Sequence, residues 1–339
     1  MTERATKIAN PLRPLPGDTA AGGEIAVAMI TNPLSGGNRK GIGRVREFLA
    51  RNPGILHREA VTPPEVNAAL ADFSTRNIDL LVVNGGDGTV QAVLTSLYGR
   101  STSTSPPLLA LLRAGTASML ANDVGMRGEP LAALARIVAW SLDRGRDENQ
   151  IHGRPVLKVN REGEEPLCGM FFGAGAIPFG IDLCHGSMNP NKVRGELMPG
   201  LIMARLVLSV LTGRDGTIPP TDMEIGPDDY PARRNTYLLA MVSTLERLFL
   251  GLHPFWGKES GPLHFTALKA DPPYLLRNLP FLLRGLPTAS STPENGFFSH
   301  NVGRITLDFR GSFTLDGELF EALAPLTIEP AGPARFLRI

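Results

Sequence analysis

At 339 residues the chain is longer than one hydrophobic core usually serves, so two domains are expected. Its 34 basic and 33 acidic side chains leave no surplus of positive charge to neutralise a phosphate backbone, which argues against nucleic acid as a partner. Two cysteines, Cys168 and Cys184, are too few for a disulfide framework and lack zinc-ligand spacing, so a reducing, cytoplasmic setting fits.

Residues 1–24 mix charge, Pro and Gly without the apolar stretch of a signal peptide, and are expected to be a disordered leader. From Ile25 to Ile30 an apolar run predicts a strand, ended by the turn-rich Asn32-Pro33-Leu34-Ser35-Gly36-Gly37 and followed by helical spacing at Val45, Phe48 and Leu49. The same strand, loop and helix recur. Leu80 to Val83 lead into Gly85-Gly86-Asp87-Gly88-Thr89 and a helix with apolar positions at Val90, Val93, Leu94 and Leu97. Leu108 to Leu112 lead into Arg113 to Thr116 and an apolar run from Met119, and a further helix through Leu131, Leu134, Ile137 and Val138 ends near Gly145. This alternation predicts an α/β domain over residues 25–150, a parallel sheet covered on both faces, with the loops converging at the carboxyl ends of the strands.

The texture changes near residue 150. Short β-type runs at Val156 to Val159, Tyr237 to Val242, Leu263 to Leu268, Arg304 to Phe309 and Ser312 to Leu315 predict a mainly antiparallel β-sandwich domain over 151–325. Residues 326–339 are expected to return to the first domain. A helix is expected over 193–211, but its apolar part, Leu201 to Leu211, contains Arg205 and is too short to span a bilayer. Residues 272–287 form a Leu- and Arg-rich stretch broken by Pro280, with a composition suited either to core packing or to an anionic membrane surface. His185, His253 and His264 show no metal-ligand spacing.

The glycines of residues 85–89 permit a backbone that aims successive N–H groups at a phosphate, and the following helix N-terminus adds partial positive charge. Asp87 would repel a phosphate, so it is expected to order the loop or to act through a cation. A tight turn is the plain alternative for such a loop. No Walker A sequence is present, and no Gly-x-Gly-x-x-Gly opens a helix after a strand.

What remains resembles the diacylglycerol kinase catalytic-domain family, which includes bacterial lipid kinases and the sphingosine and ceramide kinases. Gly85, Gly86, Asp87, Gly88 and Thr89 match its GGDGT. Asn32, Pro33, Ser35 and Gly36 match its Asn-Pro-x-Ser-Gly loop, Thr62 its threonine after the second strand, and Gly115-Thr116 its third nucleotide loop. Asp316-Gly317-Glu318 match its late Asp-Gly-Glu, although Asp-Gly is also a plain hairpin-turn signal. The resemblance implies a nucleotide-binding α/β domain followed by a β-rich lipid domain, with ATP and a divalent cation, Mg2+, as cofactors. It implies a membrane lipid alcohol as acceptor, peripheral contact with the inner membrane face, and Glu318 as base, with Asp316 orienting it or helping to hold a metal and Asp87 acting beside them.

Some positions depart from the family. Ser118 replaces the asparagine of the third loop, Gln91 and Ala92 replace the Asn-Glu after GGDGT, and Ser260-Gly261, beside Glu259, stand where the family's structural magnesium site has Asp-Gly. The metal ligands are therefore left unassigned. Two alternatives stay open: a soluble-metabolite kinase of the NAD kinase type, which shares GGDGT, and an inactive nucleotide- or lipid-binding homologue.

Overall fold

The computed structural model describes residues 25–100, 105–115, 118–143, 147–186 and 220–339. Its first part alternates strand and helix: β1 (Val27–Thr31), α1 (Ile42–Ala50), β2 (Leu56–Glu59), α2 (Pro63–Ser74), β3 (Leu80–Gly85), α3 (Asp87–Tyr98), β4 (Leu108–Arg113), α4 (Met119–Val124) and α5 (Pro130–Leu142). The strands run parallel in the order β2-β1-β3-β4. β1, β3 and most of β4 are buried throughout because both sheet faces are covered. The strand period of two divides their side chains between two cores. Ala28, Ile30, Leu81, Val83, Leu109 and Leu111 pack with α2 and α3. Val27, Met29, Leu80, Val82, Leu108 and Leu112 pack with α1 and α5.

The second part consists of β5 (Ile151–Arg161), β6 (Leu167–Gly169), β7 (Phe171–Gly175), α6 (Ala176–Gly186), β8 (Thr221–Pro227), β9 (Arg233–Ser243), β10 (Leu263–Lys269), α7 (Leu275–Leu282), β11 (Phe297–Val302), β12 (Ile305–Asp308), β13 (Gly311–Leu315), β14 (Glu318–Ala322) and β15 (Leu326–Leu337). These strands pair antiparallel with one another around a core that includes Phe172, Tyr237, Val242, Phe265, Phe313 and Ile328. β15 links the two parts. It runs antiparallel to β5 along its length and to β12 near its start, and its far end lies parallel to β4 with Phe336 opposite Leu109. Hydrogen bonds thus join both parts in one continuous sheet.

Residues 272–287 are not broken at Pro280 as the sequence suggests, because α7 continues through it. The proline is exposed, so water can replace the backbone bond it lacks. Among the described residues no helix is long and apolar enough to cross a membrane. The helix expected over 193–211 lies outside the described residues.

Candidate active site

Three loops meet at the carboxyl ends of β1, β3 and β4. In the first, Asn32 Oδ1 accepts from Leu34 N–H at 2.9 Å, fixing a turn, while its Nδ2 donates to Thr89 Oγ1 at 3.1 Å. Gly86 N–H donates to Ser35 Oγ at 3.0 Å, so the first loop is tied twice to the glycine-rich one. Gly37 N–H reaches Ala114 O at 2.9 Å and brings in the third loop. A Cβ on Gly115 would lie 2.8 Å from Gly86 Cα, closer than real side chains approach, so glycine is needed where these two loops touch.

Asp87 opens α3, and its carboxylate turns toward α4, where Oδ2 accepts from Met119 N–H at 2.9 Å and Oδ1 from Leu120 N–H at 3.1 Å. The negative group satisfies two donors at a helix start and locks the second loop to the third. Burial pushes its carboxyl up to about 6, against the opposing effect of those two N–H groups. Ser118, in the asparagine's place, adopts a left-handed φ of 48° and closes its loop: Oγ accepts from Gly115 N–H and donates to Gly115 O, both at 3.1 Å. The substitution therefore leaves the loop internally bonded. Gln91 likewise buttresses α3, with Nε2 donating to Thr95 Oγ1 at 2.9 Å and Thr95 bonding both N–H and C=O of Cys168 on β6.

The late motif enters from the other part of the sheet. β13 and β14 form a hairpin with Leu315 opposite Glu318, leaving Asp316 and Gly317 as a two-residue turn with φ of 52° and 93°. Both angles are positive, as a type I′ turn requires, and Asp-Gly suits it. Asp316 N–H donates to Phe171 O at 2.8 Å, and its carboxylate accepts from Met170 N–H at 3.0 Å and Phe171 N–H at 2.8 Å. Asp316 is 2% exposed. Burial drives its carboxyl well above the usual range; the Met170 N–H opposes this, and the charge of Asp87 adds to it. Enclosed in this way, Asp316 pins the hairpin to the β6–β7 connection.

Glu318, two residues on, is exposed, and its carboxylate lies against Gly88, where any side chain would overlap it. Residues 230 positions apart in sequence are brought together at the start of α3. The structure thus gathers Asn32, Ser35, Gly85, Gly86, Asp87, Gly88, Thr89, Gly115 and Glu318, with Pro33 half-buried and Gly36 exposed on the first loop. Thr62 is the N-cap of α2, in a capping box with Glu65, and makes no hydrogen bond to the three loops among the described residues. Thr116 lies outside the described residues. Sequence reasoning missed Asn38, a buried side chain whose Nδ2 donates to Asn32 O at 2.8 Å and Asn84 O at 3.0 Å, holding the first loop on the end of β3. A polar residue directly after Ser-Gly-Gly was the available signal.

Glu259 does not offer a metal site. Burial works against its charge, but His300, the Asn301 N–H and Tyr230 all bond its carboxylate and hold it at about 2. No group of His, Cys, Asp and Glu suited to a metal occurs among the described residues. The residues around Ser260 therefore do not fit the structural magnesium of the resembled family. A cavity of about 1160 Å³ runs beside the hairpin, lined in part by Phe179, Phe309, Arg310, Leu319 and Phe320.

Residues 26–144, which carry all three loops, match the family model of the diacylglycerol kinase catalytic domain. This segment belongs to the diacylglycerol kinase catalytic-domain family. The domain is that of a kinase. No curated protein sequence matches the chain. A solved diacylglycerol kinase structure from Bacillus anthracis str. Sterne is similar at 18% identity and a TM-score of 0.59, covering 93% of this chain and 96% of that one. Another structure from the same organism gives a TM-score of 0.63 at 18% identity, covering 93% and 97%. At such identities the likeness establishes a shared fold over nearly the whole of each chain, β-rich part included.

Proposed function

We propose that the protein is an ATP-dependent lipid kinase that transfers the γ-phosphate to a hydroxyl of a membrane lipid, either diacylglycerol, ceramide or a sphingoid base, at the inner membrane face. The contact of Glu318 with Gly88 carries the reading, because it sets an exposed carboxylate beside the loop suited to phosphates. The backbone of residues 32–36, 85–89 and 115 takes the nucleotide phosphates, with Thr62 and Thr116 as further nucleotide-binding residues, and the dipole of α3 favours the anion. The lipid oxygen bonds to the γ-phosphorus as its bond to the bridging oxygen breaks; Glu318 takes the hydroxyl proton and ADP leaves.

Asp87 and Asp316 act as positioning groups in this reading, because their carboxylates are engaged by backbone N–H groups. A Mg2+ bound with the nucleotide would supply charge neutralisation, and no described residue is assigned to hold it.

The test is purified protein with labelled ATP and a panel of diacylglycerol, ceramide and sphingosine in mixed micelles, with NAD in a parallel reaction. Label in an extracted lipid supports the reading. Label only in NADP, or nucleotide binding without transfer to any acceptor, overturns it.

A further inference from the structure

We infer that α7 and its flanking residues form a docking surface for an anionic lipid bilayer. α7 is anchored along one side. Leu282 is buried with Ala176, Leu238, Leu268 and Phe297, Leu275 packs against the same cluster, and buried Asn278 accepts from Thr288 Oγ1 at 2.7 Å and Ser290 Oγ at 2.9 Å. At 100° per residue the opposite arc holds Leu276, Arg277, Pro280 and Phe281. Leu276 and Phe281 are 57% and 48% exposed, and Tyr274 and Leu286 at the two ends are 60% and 55% exposed.

The solvent face of a helix in a soluble protein ordinarily carries polar side chains. Here large apolar groups alternate with cations: from Pro272 to Pro287 the charged residues are Arg277 and Arg284, with no acid. An acidic protein partner would satisfy the arginines and leave the apolar side chains unmatched. An anionic bilayer satisfies both, since the Leu, Phe and Tyr side chains enter the headgroup boundary while the arginines meet lipid phosphates. Eight residues of helix cannot span a membrane, so α7 lies in the interface plane. Tyr274 enters α7 at a left-handed φ of 63°, a conformation bulky residues rarely hold, and its side chain is exposed.

The inference rests on the lipid-kinase reading for its purpose, but vesicle binding needs no ATP and no turnover, so each can fail without the other. The experiment is co-sedimentation of the full chain with vesicles of phosphatidylcholine, with and without phosphatidylglycerol. Wild type binds the anionic vesicles. The double variant R277Q/R284Q loses affinity for them by roughly 25-fold, at about 1 kcal/mol per arginine, and changes little on neutral vesicles. L276S/F281S loses about tenfold or more on both. Unfolding midpoints of both variants stay near wild type because the altered side chains are exposed. Absence of wild-type binding to anionic vesicles, or binding of both variants at wild-type strength, overturns the inference. So does a wild-type dimer that L276S/F281S dissociates while vesicle binding persists, which would assign the face to a second copy of the chain.

Discussion

At position 88 any side chain must compete with the Glu318 carboxylate for the same space. Gly88→Ala is expected to displace Glu318 by about an ångström and to lower kcat by roughly 10²-fold, since catalytic groups tolerate little misplacement. Steady-state kinetics check this, and an unchanged kcat would remove Glu318 from the reaction. Asp87 has a pH signature. Its native carboxyl lies near 6, above its ordinary value, so between about pH 4 and 6 the native state binds more protons than the unfolded chain. Stability from this group is full below that window and declines as pH rises through it, by roughly 3 kcal/mol in total. Urea unfolding against pH should show the decline in wild type and a flatter profile in Asp87→Asn. Asp316→Ala removes the acceptor of the buried Met170 and Phe171 N–H groups, and urea unfolding should show a loss of about 2–4 kcal/mol.

At the scale of elements, the buried apolar strands and the helices beside them were legible because β1, β3 and β4 are apolar runs and α3 and α5 keep helical spacing. Others were hidden. β15 contains Pro330, Gly332 and Pro333, which read as breakers, yet it tolerates them through a register shift between Pro330 and Gly332. β7, Phe-Phe-Gly-Ala-Gly, was obscured by its glycines. α2 carries a readable start in Thr62, Pro63 and Glu65. The enclosure of Asp316 depends on N–H groups some 145 positions away, which no local pattern encodes. Thr95 makes a comparable distant tie, joining α3 to β6. Thr95→Val leaves the Cys168 N–H without its partner and should cost about 1–3 kcal/mol in thermal or urea unfolding.

For the whole molecule, the continuous sheet means that the three loops and the Asp316 hairpin are held at fixed separation by paired strands. Phe336 on β15, fully buried, sits where the two parts join. Phe336→Ala should cost about 3–5 kcal/mol and weaken both parts together, seen as one unfolding transition by far- and near-ultraviolet circular dichroism. The most direct test of the central claim is a single-turnover measurement of phosphate transfer from bound ATP to the lipid acceptor by wild type and by Glu318→Gln. The variant is expected to bind ATP like wild type while transfer slows by about 10²–10⁴-fold. Transfer at the wild-type rate in Glu318→Gln would contradict it.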